Sequence, residues 1–279
     1  EVPEFFRDDG RHDTLSAYLY YRKHYWDGID LSDDRILRTP VFSRKLETYM
    51  EQVIPKHPDS VITEIDRMIA ATNENTDMKE YLLWHFTNTY ETSKVMGYDK
   101  IFVHMVDKYF TDKTYDWLYP QVQQNMIDRV NTLRKVLIDA YAPPLIMADT
   151  AGKFIAMRQI SADYLIILFW TTTCGECKRE VDALKTFQNE SPLDIKIFAV
   201  NTDTSLSDWK QYINKKKLDW VHVNGNISLT GDYHNSYDIY STPVIYVLDD
   251  QKKIIAKRLA ADRIPEFIER HRSMKYEKE

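Results

Sequence analysis

Apolar residues in the first half of the chain recur at the spacing of amphipathic helices. Val61, Ile65, Met68 and Ile69, for example, lie on one face of a helix with 3.6 residues per turn. The same stripe recurs at 101–110 and 122–137, and segments 15–26 and 40–53 complete the set. We therefore predict an all-α domain, a bundle of five or six helices, over residues 1–142.

The pattern changes after Pro143-Pro144, where short apolar runs of strand length alternate with helical segments. Tyr164 to Trp170 has the length and β-branched content of a buried strand, and residues 149–152 have the composition of a hairpin turn. We predict strands at 145–148, 154–160, 164–170, 195–200, 243–248 and 254–258, and helices at 174–188, 207–216 and 264–271. This order is typical of an α/β domain, here over residues 143–279.

Composition and charge narrow the class of protein. The chain of 279 residues has room for two domains, and 43% hydrophobic residues with a net charge of −6 argue against disorder. Mild acidity gives no support for a nucleic-acid partner, since nucleic-acid-binding proteins concentrate Lys and Arg. The first residues, Glu1-Val2-Pro3, lack an initiating Met, which is consistent with removal of a targeting segment.

The two cysteines lie three positions apart, as Cys174-Gly175-Glu176-Cys177, where a predicted strand gives way to a helix. Unpaired backbone N–H groups and the helix dipole at that point favour a thiolate on the first cysteine. A thiolate is the attacking species in disulfide exchange, and a thiol one helical turn along can resolve the mixed disulfide. We predict Cys174 as the nucleophile and Cys177 as the resolving thiol.

Two other interpretations of this motif are a half zinc site and an inert local disulfide. A structural zinc site needs four ligands, and the sequence offers no second cysteine pair and no clustered histidine pair. The position of the motif between a strand and a helix favours redox chemistry over an inert pair. We expect no metal and no other cofactor.

Two motifs of the second half carry a family resemblance. Residues 169–180 read Phe-Trp-Thr-Thr-Thr-Cys-Gly-Glu-Cys-Lys-Arg-Glu and resemble the active-site region of TlpA/ResA-like thiol-disulfide oxidoreductases. Thr242-Pro243, just before an apolar strand, resembles the cis-proline loop that faces the redox pair in the thioredoxin fold. The resemblance covers residue 143 to the C-terminus. It implies a thioredoxin-like domain in which Thr242 and Pro243 contact the substrate. Trp170 is expected to be mainly a core residue that contributes only marginally to substrate contact.

The same resemblance implies a chemical role for Glu180. In this family, a glutamate three residues after the second cysteine takes part in the chemistry. Helical geometry places Glu180 one turn beyond Cys177 and on its face, within reach of a proton exchange with the resolving thiol. The alternative is a solvated glutamate beside Lys178 and Arg179.

Three positions depart from relatives. Thr173 stands where the family has Trp, and Glu176 stands where it has Pro between the cysteines. A carboxylate at Glu176 should disfavour the Cys174 thiolate, so the redox poise of relatives cannot be transferred to this chain. Leu168 replaces the buried Asp of thioredoxins proper, which places the chain nearer the TlpA/ResA branch.

The helical half resembles a domain of uncharacterised function that precedes thioredoxin-like domains in envelope proteins of Gram-negative bacteria. The resemblance rests on Thr-Pro-Val-Phe at 39–42, His-Pro-Asp-Ser at 57–60 and Tyr-Glu-Thr-Ser-Lys-Val-Met-Gly at 90–97, and it covers most of residues 5–140. It implies an exported protein of the periplasm or cell envelope, with a lipid anchor outside these residues as one option. It offers no known chemistry for this half.

Three functional classes follow from these observations. We expect a thiol-disulfide oxidoreductase that reduces or isomerises protein or small-molecule disulfides in the envelope and takes electrons from a membrane thiol donor. A thiol peroxidase of the peroxiredoxin type shares the fold; Thr171 fits its threonine position, but Ile167 stands at its proline position and a Cys-x-x-Cys is atypical there. The third class is non-enzymatic: the helical half binds a partner and the redox pair reports the oxidation state.

Overall fold

The structure, a computed structural model, describes residues 2–73 and 75–276. The chain divides into two compact units, Glu1–Ile127 and Asp128–Glu279. Within the described ranges, none of the helices combines the length and apolar character that a membrane span requires. The predicted combination of an all-α first part and an α/β second part is confirmed.

Helices make up the first unit. They are α1 (Thr14–His24), α2 (Pro40–Thr48), α3 (Pro58–Ala70), α4 (Thr76–Glu91), α5 (Asp99–Tyr109) and α6 (Pro120–Leu133), the last of which crosses the division between the units. The predicted apolar stripes of α3 and α5 form the core, where Ile65, Met68, Phe102 and Met105 are fully buried. The predicted segment 40–53 divides into α2 and a π-helical turn, Tyr49–Val53.

The residues that follow α6 pack with the second unit. Val136 and Ala142 are fully buried in its core, and Lys257 Nζ donates a hydrogen bond to Val136 O at 2.6 Å. The division at Ile127 therefore falls ahead of the boundary predicted at residue 142, because the connecting residues are part of the α/β core.

The second unit is built on a seven-stranded sheet. Its strands are β1 (Ile146–Asp149), β2 (Phe154–Ala156), β3 (Tyr164–Trp170), β4 (Ile195–Asn201), β5 (Val221–Ser228), β6 (Val244–Leu248) and β7 (Ile254–Lys257). They lie in the order β2-β1-β5-β4-β3-β6-β7. The central strands β3, β4 and β5 run parallel, and the outer pairs are antiparallel.

Helices cover both faces of this sheet. They are α7 (Gly175–Glu190), α8 (Leu206–Lys216), α9 (His234–Tyr237) and α10 (Ile264–Tyr276). Residues of α7, α8 and α10 pack into the core of one face, and α9 and Val136 pack into the core of the other. Because both faces are covered, all seven residues of β3 are buried, as predicted for a central parallel strand. The carboxyl ends of β3 and β4 open at the same edge, where ligands of such sheets bind.

Strand β5 is an element that the sequence pattern did not predict. Asn224-Gly225-Asn226 in its middle has the composition of a turn, which hides the strand. Gly225 is needed for packing, because a Cβ there would lie 2.8 Å from Tyr233 Cε1. Tyr233 is buried and its ring stacks on Phe169, so moving it to make room for a side chain at position 225 would disrupt the core.

Candidate active site

Strand β3 delivers the cysteines to one edge of the sheet. Its last residues are held on both sides, with Phe169 opposite Val244 of β6 and Trp170 opposite Asn201 of β4. The chain then leaves the sheet through the polar residues 171–173 and enters α7 at once. The cysteines therefore lie beside the carboxyl ends of the central strands.

Cys174 is the N-cap residue of α7. Its backbone is extended, with φ −83° and ψ 124°, and its Sγ accepts the N–H of Cys177 at 3.3 Å. A sulfur in this position accepts a backbone N–H and faces the positive end of the helix dipole. The local geometry expected for a nucleophilic cysteine is thus present.

Cys177 lies behind Cys174, at the buried side of the first helical turn. Cys177 is fully buried and Cys174 is partly exposed, and both thiols are free. Burial raises the pKa of Cys177 to about 11, and its contact with Cys174 adds to the shift. Cys177 is therefore a protonated thiol near neutral pH, and Cys174 carries the sulfur that a substrate can reach.

The Thr242-Pro243 peptide bond is cis, which confirms the prediction from sequence. It leads into β6, the antiparallel neighbour of β3, so it lies beside the end of β3. The Cys174 thiol donates to Thr242 O at 3.7 Å. Thr242 and Pro243 are partly exposed, so this loop and the nucleophile share one surface.

Asp203 holds the loop that precedes the cysteines. Its Oδ2 accepts the N–H of Thr172 at 2.8 Å and the side-chain amide of Asn201 at 2.9 Å. Its own N–H donates to Asn201 Oδ1 at 3.0 Å, and Asn201 is fully buried at the end of β4. Asp203 was not among the residues predicted from sequence, although polar residues just after a central parallel strand are a signal for such a position.

Glu180 lies on α7 one turn beyond Cys177, as the helical spacing predicts. Its Oε2 accepts the N–H of Ala261 at 2.6 Å, at the 3-10 turn that precedes α10. Among the described residues, the Glu180 carboxylate accepts no hydrogen bond other than this one. Glu180 therefore connects α7 to the C-terminal helix, and its proton exchange with Cys177 stays a prediction.

Trp170 lies in the core and not on the substrate-facing surface. It is fully buried, and its ring centroid is 5.3 Å from that of Tyr212 on α8. A side chain without exposed surface cannot touch a docked substrate. This placement corrects the assignment of Trp170 to substrate contact.

The residue between the cysteines is charged and exposed. The Glu176 carboxylate pairs with the Arg179 guanidinium one turn further along α7. Both side chains are at least half exposed, so water screens this pair. The negative charge next to Cys174 is thus partly balanced on the same helix.

Two family models match separate parts of the chain. Residues 1–135 match a domain of unknown function, DUF5106, and residues 162–254 match a thioredoxin-like model. The first match ends just before Val136, where the chain enters the α/β core. The second spans both cysteines and Pro243.

Named relatives of the second half handle thiols and disulfides. The thiol-disulfide oxidoreductase ResA of Bacillus cereus is 21% identical over 125 residues, covering 44% of this chain and 70% of ResA. A domain of a possible thiol-disulfide isomerase from Cytophaga hutchinsonii is 32% identical, with a TM-score of 0.46. That match covers 50% of this chain and 97% of the domain.

A solved structure shares the fold over nearly the whole chain. It is a thioredoxin-like protein from Bacteroides caccae, with a TM-score of 0.66 over 97% of this chain and 98% of that one. At 16% identity, this likeness concerns the fold. The two family models and the ResA relative show that this chain carries a DUF5106 domain over residues 1–135, followed by a thioredoxin-like domain similar to that of thiol-disulfide oxidoreductases.

Proposed function

We propose that this oxidoreductase reduces or isomerises disulfides of cell-envelope proteins, with Cys174 and Cys177 as its working dithiol. The observation that supports this most directly is the arrangement of the two sulfurs. Cys174, partly exposed at the start of α7, accepts the backbone N–H of Cys177 on its Sγ, and the Cys177 thiol is buried behind it. This is the arrangement that an attacking thiol and a resolving thiol require.

The proposed exchange has two steps. The Cys174 thiolate attacks one substrate sulfur, so a mixed disulfide forms and the other substrate sulfur leaves as a thiolate. Cys177 then loses its proton and attacks Cys174 Sγ, so the internal disulfide forms and the second substrate thiolate leaves. Two electrons pass from the dithiol to the substrate, and an external thiol donor, which we place at the membrane, reduces the pair again.

Two further groups have proposed roles in this exchange. Thr242 and Pro243 offer a partly exposed backbone edge beside Cys174, on which an extended substrate segment can dock. Glu180, one turn beyond Cys177, is the proposed proton acceptor for the second step. That step needs one because the pKa of Cys177 is raised to about 11.

The location in the periplasm or cell envelope is part of the proposal. It is supported by the resemblance of the helical half to domains that precede thioredoxin-like domains in Gram-negative envelope proteins. A membrane-impermeant maleimide applied to intact cells of the source organism should label Cys174. Labelling only after lysis would place the protein inside the cell.

Insulin reduction by the full chain tests the chemistry. The wild type should reduce insulin with dithiothreitol as the electron source, and Cys174→Ser should abolish this activity. Cys177→Ser should instead leave a mixed disulfide between Cys174 and the substrate, visible on a non-reducing gel and lost on reduction. Wild-type activity in Cys174→Ser would show that the dithiol is not the working centre.

A further inference from the structure

We infer that an open cleft in the helical domain binds a lysine or arginine side chain of a polypeptide partner. The cleft has a volume of about 460 Å³ and lies between one face of α4 and the residues that enter α6. We call it the α4–α6 cleft. The residues that carry the argument are Asp77, Glu80, Tyr81, Trp84, Trp117 and Tyr119.

Four residues of α4 form one wall of the cleft. Asp77, Glu80, Tyr81 and Trp84 follow the spacing i, i+3, i+4 and i+7, which places them on a single helical face. The Tyr81 ring packs against the ring of Phe42, with ring centroids 5.9 Å apart. This wall carries two carboxylates near the start of α4, followed by two aromatic rings.

Trp117 and Tyr119 form the other wall, just before the start of α6. The Trp117 ring packs against Tyr115 at 5.3 Å and meets the Trp84 ring edge-on at 6.4 Å between centroids. Trp84 is 44% exposed and Tyr119 is 80% exposed, although both are large aromatic side chains. Exposed aromatic rings clustered in a cleft are typical of a binding surface.

The charge of the cleft is negative and unbalanced. Burial raises the pKa of Glu80, and the charges of Asp77 and Asp116 raise it further, while no cation acts in the opposite direction. Within the described residues, none of these three carboxylates has an ion-pair or hydrogen-bond partner. A ligand that brings a positive charge would therefore be stabilised here.

Aromatic faces and free carboxylates together select one ligand chemistry. A guanidinium or ammonium group over a Trp or Tyr ring gains cation–π attraction, and a nearby carboxylate adds a charged hydrogen bond. The apolar stem of Lys or Arg can lie along the rings at the same time. A purely apolar ligand would bury the carboxylates without pairing them, which costs free energy.

A polypeptide is the occupant that fits an open cleft, because a chain can enter on one side and leave on the other. This choice rests on the proposed function, in which the substrate is a disulfide-bonded protein. The cleft would then recognise basic segments of that substrate. The redox domain would act on its disulfide.

Isothermal titration calorimetry on the full chain tests the proposal. The probe is a short peptide with two adjacent arginines flanked by glycines, compared with the same peptide carrying citrulline, which is isosteric and uncharged. The arginine peptide should bind about tenfold more tightly than the citrulline peptide. Trp84→Ala and Glu80→Gln should each weaken arginine-peptide binding, by about tenfold and about threefold respectively.

Glu4→Gln is the matched control, since it removes the same charge from an exposed residue outside the cleft. It should leave the dissociation constant unchanged, and all three variants should keep the wild-type far-UV circular dichroism spectrum, which shows that they are folded. Three results would contradict the proposal that the cleft binds a basic side chain: equal binding of the two peptides, no measurable binding, or wild-type affinity in both cleft variants. Equal binding of free arginine amide and the peptide would overturn the polypeptide occupant. If the wild type does not reduce insulin, the proposed function is refuted. The peptide titrations still test on their own whether the cleft binds a basic side chain.

Discussion

The two sulfurs of the active site differ in their access to solvent. Cys177 is fully buried with its pKa raised to about 11, so roughly one Cys177 thiol in 10⁴ is ionised at pH 7. Iodoacetamide reacts with the thiolate, and it should therefore label Cys174 first in the reduced protein. Labelling of Cys177 should rise about tenfold per pH unit and level off near pH 11. Peptide mass spectrometry measures both rates, and faster labelling of Cys177 at pH 7 would reverse the proposed roles.

Two substitutions distinguish the structural role of Glu180, as a hydrogen-bond acceptor, from its proposed role as a proton acceptor. Glu180→Gln keeps an oxygen that can accept the Ala261 N–H but cannot take up a proton from Cys177. It should leave the free energy of unfolding nearly unchanged and slow insulin reduction at neutral pH by about 10²-fold, the order typical of general base catalysis. The loss should shrink as the pH approaches the pKa of Cys177, about 11.

The matched control for that experiment is Glu180→Ala, which also removes the acceptor of the Ala261 N–H. It should lower the free energy of unfolding by about 1–3 kcal/mol, because a buried donor loses its partner. If Glu180→Gln keeps the wild-type rate and pH profile, then the role of Glu180 is limited to connecting α7 and α10.

Between elements, the hydrogen bonds of Asp203 hold the loop before the cysteines to the end of β4. Asp203→Ala should release Thr172 N and loosen the entry into α7. We expect Cys174 alkylation to slow about two- to fivefold, because the N-cap geometry in which its sulfur accepts the Cys177 N–H becomes less populated. The reduction potential of the Cys174/Cys177 pair should fall at the same time, since the reduced form loses stabilisation. The control Asp203→Asn keeps one acceptor oxygen and should therefore keep most of the wild-type alkylation rate. If Asp203→Ala leaves both the reduction potential and the alkylation rate unchanged, then Asp203 only stabilises the fold.

Elements whose signal is local were predictable from sequence, and those set by tertiary contacts were not. Strand β3, helix α7 and the cis bond before Pro243 each follow from a short apolar run or motif. Strand β5 is hidden by the turn-like Asn224-Gly225-Asn226, because its Gly is required by the ring of Tyr233, a contact that the local pattern does not reveal. Helix α4 has a buried stripe that could have been recognised, at Met78, Leu82, Phe86 and Tyr90.

The same distinction applies to the candidate site. Cys174, Cys177, Thr242 and Pro243 come together at one edge of the sheet, as their motifs indicated. The marginal substrate contact expected of Trp170 is absent, because β3 is buried on both faces and the Trp170 ring lies in the core beside Tyr212. Asp203 follows a predicted strand, which is a local signal, but its contact with the loop depends on the parallel pairing of β3 and β4, which is a tertiary contact.

For the whole molecule, both cysteines and every residue with a proposed redox role lie in the second unit. A fragment of residues 128–279 should therefore fold and reduce insulin at close to the full-length rate. A fragment of residues 141–279 should be less stable by about 3 kcal/mol, since it lacks the buried Val136 side chain and the carbonyl that Lys257 binds. Urea denaturation measures the difference. Loss of activity in a folded 128–279 fragment would mean that the helical domain completes the active site.

The burial of Cys177 also determines how long a substrate stays attached under the proposed mechanism. Because so little Cys177 is ionised near neutral pH, the adduct on Cys174 has a long residence time unless a base accelerates its release. During that time a free thiol of the same substrate can attack its own sulfur in the adduct, closing a new pairing and returning Cys174 unchanged. The substrate then departs with its cysteines re-paired and its total number of disulfides preserved. The relative rates of these two reactions, attack by Cys177 and attack by a thiol of the substrate, decide whether a substrate protein is released reduced or isomerised.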